Sequence, residues 1–165
     1  MDTVIRTANL LKERGFDFEW FVAGKMYLQK EIEKKEGLKF SNLNVHVLGF
    51  VDANKVKKLL LSSDIYVHTA YIDNSPNAIC EAQYIGMPII ATYVGGIPSL
   101  INNHKDGLLI PANAPHTLAY EIMALSKDYD RMNAYSKNSI IHAEERHNPE
   151  TILKDLLFCY KDIQK

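Results

Sequence analysis

The segment from Asp73 to Gly96 constrains this chain more than any other stretch. It reads Asp-Asn-Ser-Pro-Asn-Ala-Ile-Cys-Glu-Ala-Gln-Tyr-Ile-Gly-Met-Pro-Ile-Ile-Ala-Thr-Tyr-Val-Gly-Gly. A polar loop meets a helix start at Pro76, because proline suits a first helical position, where its missing N–H would have no partner. Gly86 ends that helix, and an apolar strand, Pro88 to Thr92, leads directly into a Gly95-Gly96 turn. Loop, helix, glycine and buried strand in this order are the repeating unit of a parallel sheet covered by helices.

The rest of the chain keeps the same rhythm. Val4, Ala8 and Leu11 repeat at helical spacing from about Asp2 to Arg14, and Gly15 stops that helix. Phe18 to Ala23 predicts a strand ending at Gly24, Met26 to Glu36 a charged helix closed by Gly37, and Val45 to Leu48 a strand ended by Gly49. Asp52 predicts an N-cap for a helix that turns Val56, Leu59 and Leu60 inward. Asp64 to His68 is a strand, and the Pro88 strand is followed by a short helix from Pro98 to Asn102 and a strand from Gly107 to Ile110. Helices near 115–127, 128–145 and 150–164 finish the chain. The expected fold is a single α/β domain over residues 1–165, a doubly wound, Rossmann-like parallel sheet with helices on both faces. Such a domain normally opens on a central strand, yet here Met1 is followed at once by a helix. The first strand is therefore expected to be missing. The flanking strands, Phe18–Ala23 and Asp64–His68, are then expected to draw together, or a second copy to supply a strand by dimerising or swapping.

Composition narrows the function classes. With 165 residues, 47% of them hydrophobic, a sizeable core is affordable. A formal net charge of −1 gives no electrostatic footprint for nucleic acid or an anionic membrane surface. No apolar run approaches the roughly 20 residues of a membrane span, and the N-terminus lacks the basic-then-apolar pattern of a secretion signal. Cys80 and Cys159 sit in apolar helical contexts and read as small buried hydrophobes rather than a disulfide or metal pair, which points to a reducing, cytoplasmic compartment. The six histidines share no metal-ligand spacing. Cys80 has no base near it in sequence, and no phosphate-binding P-loop is present.

Ligands of such sheets bind at the carboxyl ends of the strands. The loops there, Gly24-Lys25, Gly49-Phe50-Val51, Thr69 to Ser75 and Tyr93 to Gly96, are the glycine-rich and polar segments of the chain. After Pro76 the amides of Asn77 and Ala78 lie at the positive end of the helix dipole, a ready place for phosphate. Glu81, about a turn and a half further on, is placed to accept hydrogen bonds from a ribose. Together these features suit a sugar nucleotide. Taken singly, each residue also has a plainer explanation. Glu81 could be an exposed helical glutamate with no ligand, Asp73 a turn or cap residue, Asn74 and Ser75 caps of the motif helix, and Lys25 a solvated surface lysine. Gly95 and Gly96 answer to backbone conformation before ligand contact.

The motif region resembles the donor-binding, C-terminal half of retaining GT-B glycosyltransferases of family four. That family shows an acidic residue, seven residues, then Glu-Ala, a Gly-x-Pro-x-Ile-Ala strand and a Gly-Gly-x-Pro-Glu turn. Asp73 and Glu81 have the acidic spacing, and Gly86-Met87-Pro88-Ile89-Ile90-Ala91 and Gly95-Gly96-Ile97-Pro98 match the rest. Phe21-Val22-Ala23-Gly24, Val47-Leu48-Gly49-Phe50-Val51 and Gly107-Leu108-Leu109-Ile110-Pro111 are similar to three further blocks, so the likeness covers almost the whole chain. The chain departs from the pattern in having Asp73 for the usual Glu, Gly24-Lys25-Met26 for Gly-x-Gly, and Ser99 for the glutamate of the turn. The family's Arg and Lys, placed after its first donor-domain strand, would lie before Met1.

The resemblance implies a nucleotide-diphosphate-sugar as donor substrate, no metal and no further cofactor. It implies that Asp73 orients a sugar hydroxyl as the catalytic-site carboxylate. Gly24, Lys25, Phe50, Val51, Asn74, Ser75, Pro76, Asn77, Ala78 and Glu81 would bind the donor. It further implies a hexosyltransferase-like enzyme of polysaccharide or glycoconjugate assembly, whose N-terminal acceptor domain is absent here, so that this chain alone binds without turning over. Two other readings stand beside it. One is a non-catalytic nucleotide-sugar or phosphate-binding module, suggested by the departures at Asp73, Lys25 and Ser99. The other is a doubly wound interaction domain with no sugar ligand.

Overall fold

The computed structural model describes residues 1–24 and 28–163. Helix α1 (Asp2–Glu13) is followed by β1 (Trp20–Ala23), α2 (Gln29–Glu36), β2 (Val45–Gly49), α3 (Ala53–Leu61) and β3 (Tyr66–His68). Then come α4 (Asn77–Ile85), β4 (Ile89–Thr92), β5 (Leu108–Ile110), α5 (Pro115–Leu125), α6 (Tyr129–Arg146) and α7 (Pro149–Ile163). Each strand read from the sequence is present, with ends moved by one or two residues. The short helix expected at 98–102 is instead a 3-10 turn over Ile97–Ser99. A second such turn, Phe40–Leu43, has no counterpart in the periodicity, and it buries Phe40 and Leu43 beneath β2.

All strand pairing is parallel. β1 pairs with β2, Trp20 opposite Val45, with a register shift between Val22 and Ala23. β3 pairs with β4, Tyr66 opposite Ile89, and β4 with β5, Ile90 opposite Leu108. These form two separate sheets, of two and three strands. The expectation that the flanking strands draw together is therefore not met: among the described residues β1 does not pair with β3. The two half-sheets are joined instead through α1, which shares a side-chain cluster with each. Its Leu11 packs in one cluster with Ile90, Leu108 and Leu118, rimmed by Trp20 and Val67. Its Val4, Ile5 and Ala8 pack in another with Phe40, Leu43 and Val45.

β4 shows the two-layer covering directly. Ile90 faces the cluster that contains α5 residues Leu118, Ala119, Ile122 and Leu125. Its neighbours Ile89 and Ala91 face the opposite cluster, with Ile79 and Ala82 of α4, as a strand's alternation requires. Buried Asp106 ties this body to α6: it accepts from the Asn102 amide at 2.8 Å and lies 2.7 Å from Nδ1 of His142. At the other extreme, α7 buries none of its residues. That corrects the reading of Cys159 as a core residue, since it is exposed, and Cys80 is only half-buried. Its apolar residues, among them Ile152, Leu156 and Phe158, are exposed, and nothing in the described chain covers them. Among the described residues no helix is long and apolar enough to cross a membrane.

Candidate functional site

Within each sheet the strands are parallel, so their carboxyl ends share one edge, and the loops leaving them are the predicted site loops. The loop after β3 runs into α4. Pro76 is buried and serves as the N-cap, one position earlier than expected, so Asn77 is the first helical residue. The first turn closes with the Ile79 N–H donating to the Pro76 carbonyl at 3.0 Å. The amides of Asn77 and Ala78 stand before that bond, both residues are exposed, and no side chain caps the helix. Asn74 and Ser75 are thus not caps of α4, and both are exposed. Glu81 is exposed too, one turn into α4. Among the described residues, uncapped amides and an exposed carboxylate thus share one helix start.

Gly95 and Gly96 fix the loop that leads there. A Cβ on Gly96 would stand 1.9 Å from the Asn74 carbonyl oxygen, and one on Gly95 would stand 2.1 Å from that of Asp73. The Gly96 N–H donates to the Asp73 carbonyl at 3.1 Å, and the Thr92 hydroxyl to the Ala70 carbonyl at 2.7 Å. Gly95 also adopts φ +51°, whereas Gly96, at φ −90°, is required by close approach alone. The two loops are laced backbone to backbone, so the Asp73–Pro76 segment is held by β4.

Asp73 is half-buried, and its Oδ2 lies 3.3 Å from Nε2 of His68. Nδ1 of His68 in turn lies 3.3 Å from the Tyr66 hydroxyl. Burial pushes the Tyr66 phenol well above its ordinary range, and the carboxylates of Glu81 and Asp73 push it further. One phenol thus feels both acidic residues of the motif. Neither Tyr66 nor His68 was singled out from the sequence. The available signal was their alternation, two polar-tipped rings on one face of an otherwise apolar strand that ends at the site.

On the other side, Gly24 (φ +122°) donates its N–H to the Gly49 carbonyl at 2.8 Å, joining the β1 and β2 loops. Among the described residues a Cβ on either glycine would meet nothing within 4 Å, so no described side chain fills this half of the edge. Phe50 is 81% exposed and Val51 is half-buried. Lys25 lies outside the described residues. Tyr71, also unforeseen, links the β3 side to α1: its hydroxyl donates to Asp2 at 2.9 Å and stands 3.2 Å from the Thr3 hydroxyl. Burial works against the charge on Asp2, but the Tyr71 hydroxyl and the Thr3 amide outweigh it and hold its carboxyl below the usual range. Arg6 continues the line with a two-point contact to Glu36 of α2, at 2.6 and 2.8 Å. Among the described residues no group of His, Cys, Asp and Glu is gathered that could hold a metal ion.

Fold and edge define a parallel α/β domain with a helix start and an exposed carboxylate beyond the end of β3. Residues 1–142 match the model of the glycosyl transferases group 1 family, and the chain belongs to that family. It is 26% identical over 164 residues to a protein assigned as the colanic acid biosynthesis glycosyltransferase WcaL of Escherichia coli (strain K12), covering 94% of this chain and 40% of that protein. Among solved structures it superposes on Anabaena HepE, crystallised with UDP and glucose, with a TM-score of 0.79 and 20% identity, covering 95% of this chain and 44% of that one. The C-terminal domain of the group 1 protein LpcC from Francisella tularensis gives a TM-score of 0.75 at 21% identity, covering 88% of this chain and 78% of that one. The chain thus spans well under half the length of WcaL and HepE. The GT-B, Rossmann-like fold expected from the sequence is the fold observed, since these neighbours are GT-B glycosyltransferases.

Proposed function

We propose that this chain is the donor-binding, C-terminal half of a retaining, metal-independent glycosyltransferase, hexosyltransferase-like, that acts in polysaccharide or glycoconjugate assembly. The observation that carries the reading is the α4 start, where the uncapped amides of Asn77 and Ala78 and the exposed carboxylate of Glu81 sit beside a loop locked by Gly95 and Gly96. Charge that builds on a departing diphosphate needs donors already in place, and helix amides supply them without a metal ion. Glu81 accepts the ribose hydroxyls in this reading, and Asp73 orients the sugar. Asn74, Ser75 and Pro76 shape the sugar side, while Gly24, Phe50 and Val51 line the nucleotide side, to which the sequence motif also assigns Lys25. HepE, crystallised with UDP and glucose, shares the fold and supports UDP as the first nucleotide to try. Acceptor contacts and turnover belong to an N-terminal domain, so this chain alone binds donor without turning it over. Two free cysteines suit a cytoplasmic setting.

The test is binding of UDP and UDP-glucose by calorimetry or NMR titration. Affinity in the high micromolar to millimolar range is expected, about −4 to −6 kcal/mol. Loss of a charge-assisted hydrogen bond costs about 1.5–3 kcal/mol, so Glu81→Ala should weaken UDP binding roughly 10- to 100-fold. Unchanged affinity in a folded Glu81→Ala protein removes Glu81 from the site.

A further inference from the structure

We propose that His68 is a positioning residue: it aims the Asp73 carboxylate at the donor's sugar, and the Tyr66 hydroxyl fixes the imidazole tautomer that does so. The proposal rests on the donor-site reading above and adds to it two residues that the motif does not contain.

Proton bookkeeping along the line Tyr66–His68–Asp73 leads to the tautomer. A carboxylate oxygen only accepts, so the 3.3 Å approach of Asp73 Oδ2 to His68 Nε2 requires the proton on Nε2. A neutral imidazole then offers Nδ1 as an acceptor, and Nδ1 faces the Tyr66 hydroxyl at 3.3 Å. That hydroxyl keeps its proton, because burial and the two nearby carboxylates oppose its loss. Tyr66 donates to His68, and His68 donates to Asp73. Tyr66 and His68 are alternate residues of β3, so both side chains leave the same face of the sheet. Their rings lie 6.3 Å apart at 29°. Tyr66 packs against the buried cluster of α4 and β4, which anchors the far end of the line in the core.

Asp73 needs such an anchor. The lacing of the two loops fixes its backbone through its carbonyl, which accepts from Gly96, but that leaves the side chain free to rotate. Its carboxylate has no hydrogen bond other than the one to His68 among the described residues. The rigid strand, acting through one imidazole, therefore gives a loop carboxylate its direction. This is the arrangement a hydroxyl-orienting group requires.

Nitrogen-15 NMR of the imidazoles in the unliganded chain reads the tautomer directly, with the His68 signal assigned by its loss in His68→Gln. The Nε2–H pattern is expected, with partial loss of that preference in Tyr66→Phe; a dominant Nδ1–H pattern overturns the proposal. Titrations then separate sugar from nucleotide. His68→Leu should weaken UDP-glucose about 5- to 10-fold, the loss of one hydrogen bond, and leave UDP within about twofold. His68→Gln, whose amide N–H falls near the position of Nε2, should recover most of the loss. A folded His68→Leu protein that binds UDP-glucose like the parent, or a Gln variant as weak as the Leu variant, overturns the proposal alone. A parent chain that binds neither probe overturns the donor-site reading and takes this role of His68 with it.

Discussion

The strands β1 and β4 are built from equally apolar residues, Trp-Phe-Val-Ala and Ile-Ile-Ala-Thr, yet they live in different surroundings. All four residues of β4 are buried, with Ile89, Ile90 and Ala91 at 0% exposure. In β1 burial alternates between half-buried and exposed, and Phe21 is 40% exposed, resting on its cross-strand neighbour His46 with ring centroids 4.9 Å apart. The difference is one of neighbours. β4 has a strand on each side and helices on both faces, whereas β1 pairs only with β2. Burial in a parallel sheet is thus a property of position, and composition alone does not confer it. The site inherits the contrast: its β3–β4 half is laced tight, and no described side chain fills its Gly24–Gly49 half.

The largest effect should come from the strand cores. Ile90→Ala should cost about 2–5 kcal/mol, the usual range for emptying a buried aliphatic site. Phe21→Ala, at a side chain already 40% exposed, should cost less, about 1 kcal/mol. Denaturant melts compare them, and equal costs would erase the distinction between the half-sheets. Next is Gly96→Ala, whose Cβ would lie 1.9 Å from a backbone oxygen. Overpacking costs about 1–3 kcal/mol, and the upper end is expected because a carbonyl cannot swing aside as a side chain does. The same substitution at Gly49 meets no atom within 4 Å but adopts φ +67°, so it carries conformational strain alone and should cost about 1 kcal/mol.

A smaller effect should follow pH. The Arg6 guanidinium, by its hydrogen bonds and against some burial, holds Glu36 below its ordinary range. Burial alone would raise Asp2, but the Tyr71 and Thr3 bonds outweigh it and leave it depressed. Carboxyls depressed in the folded state add stability that is complete above their unfolded values, near pH 4, and is lost as pH falls through the folded ones. The thermal midpoint should therefore drop below about pH 4, and an Asp2→Asn, Glu36→Gln double variant should fall less steeply. An identical acid profile would show that these ties between α1 and its neighbours contribute nothing. The smallest change is expected of Tyr71→Phe, which removes the hydroxyl joining the β3 loop to Asp2 and should cost about 0.5–1.5 kcal/mol. Faster amide exchange confined to residues 69–75 and the first turn of α1 would locate that cost at the seam between the two halves.

The order of strands and helices, the Asp52 cap on α3, and the motif from Asp73 to Gly96 were all legible in the sequence, because they depend on local spacing. Asp52 does accept from the Lys55 amide at 2.8 Å, as the cap predicts. Hydrophobic period, glycine stops and helix starts act over a few residues, and one sequence records them fully. What the sequence could not supply is anything set by contact between distant segments. The reason for Gly96 is the Asn74 carbonyl behind it, the hydroxyl of Tyr71 finds Asp2 across 69 residues, and Asp106 meets His142 across 36. Cys159 of α7 reads as core from its apolar neighbours in sequence, yet it is exposed. Likewise His68 became a partner of Asp73 only when the loop folded back over the strand end. Local chemistry chose the elements. Packing between them decided which side chains meet, since that depends on where the chain returns in space and not on what its neighbours in sequence are.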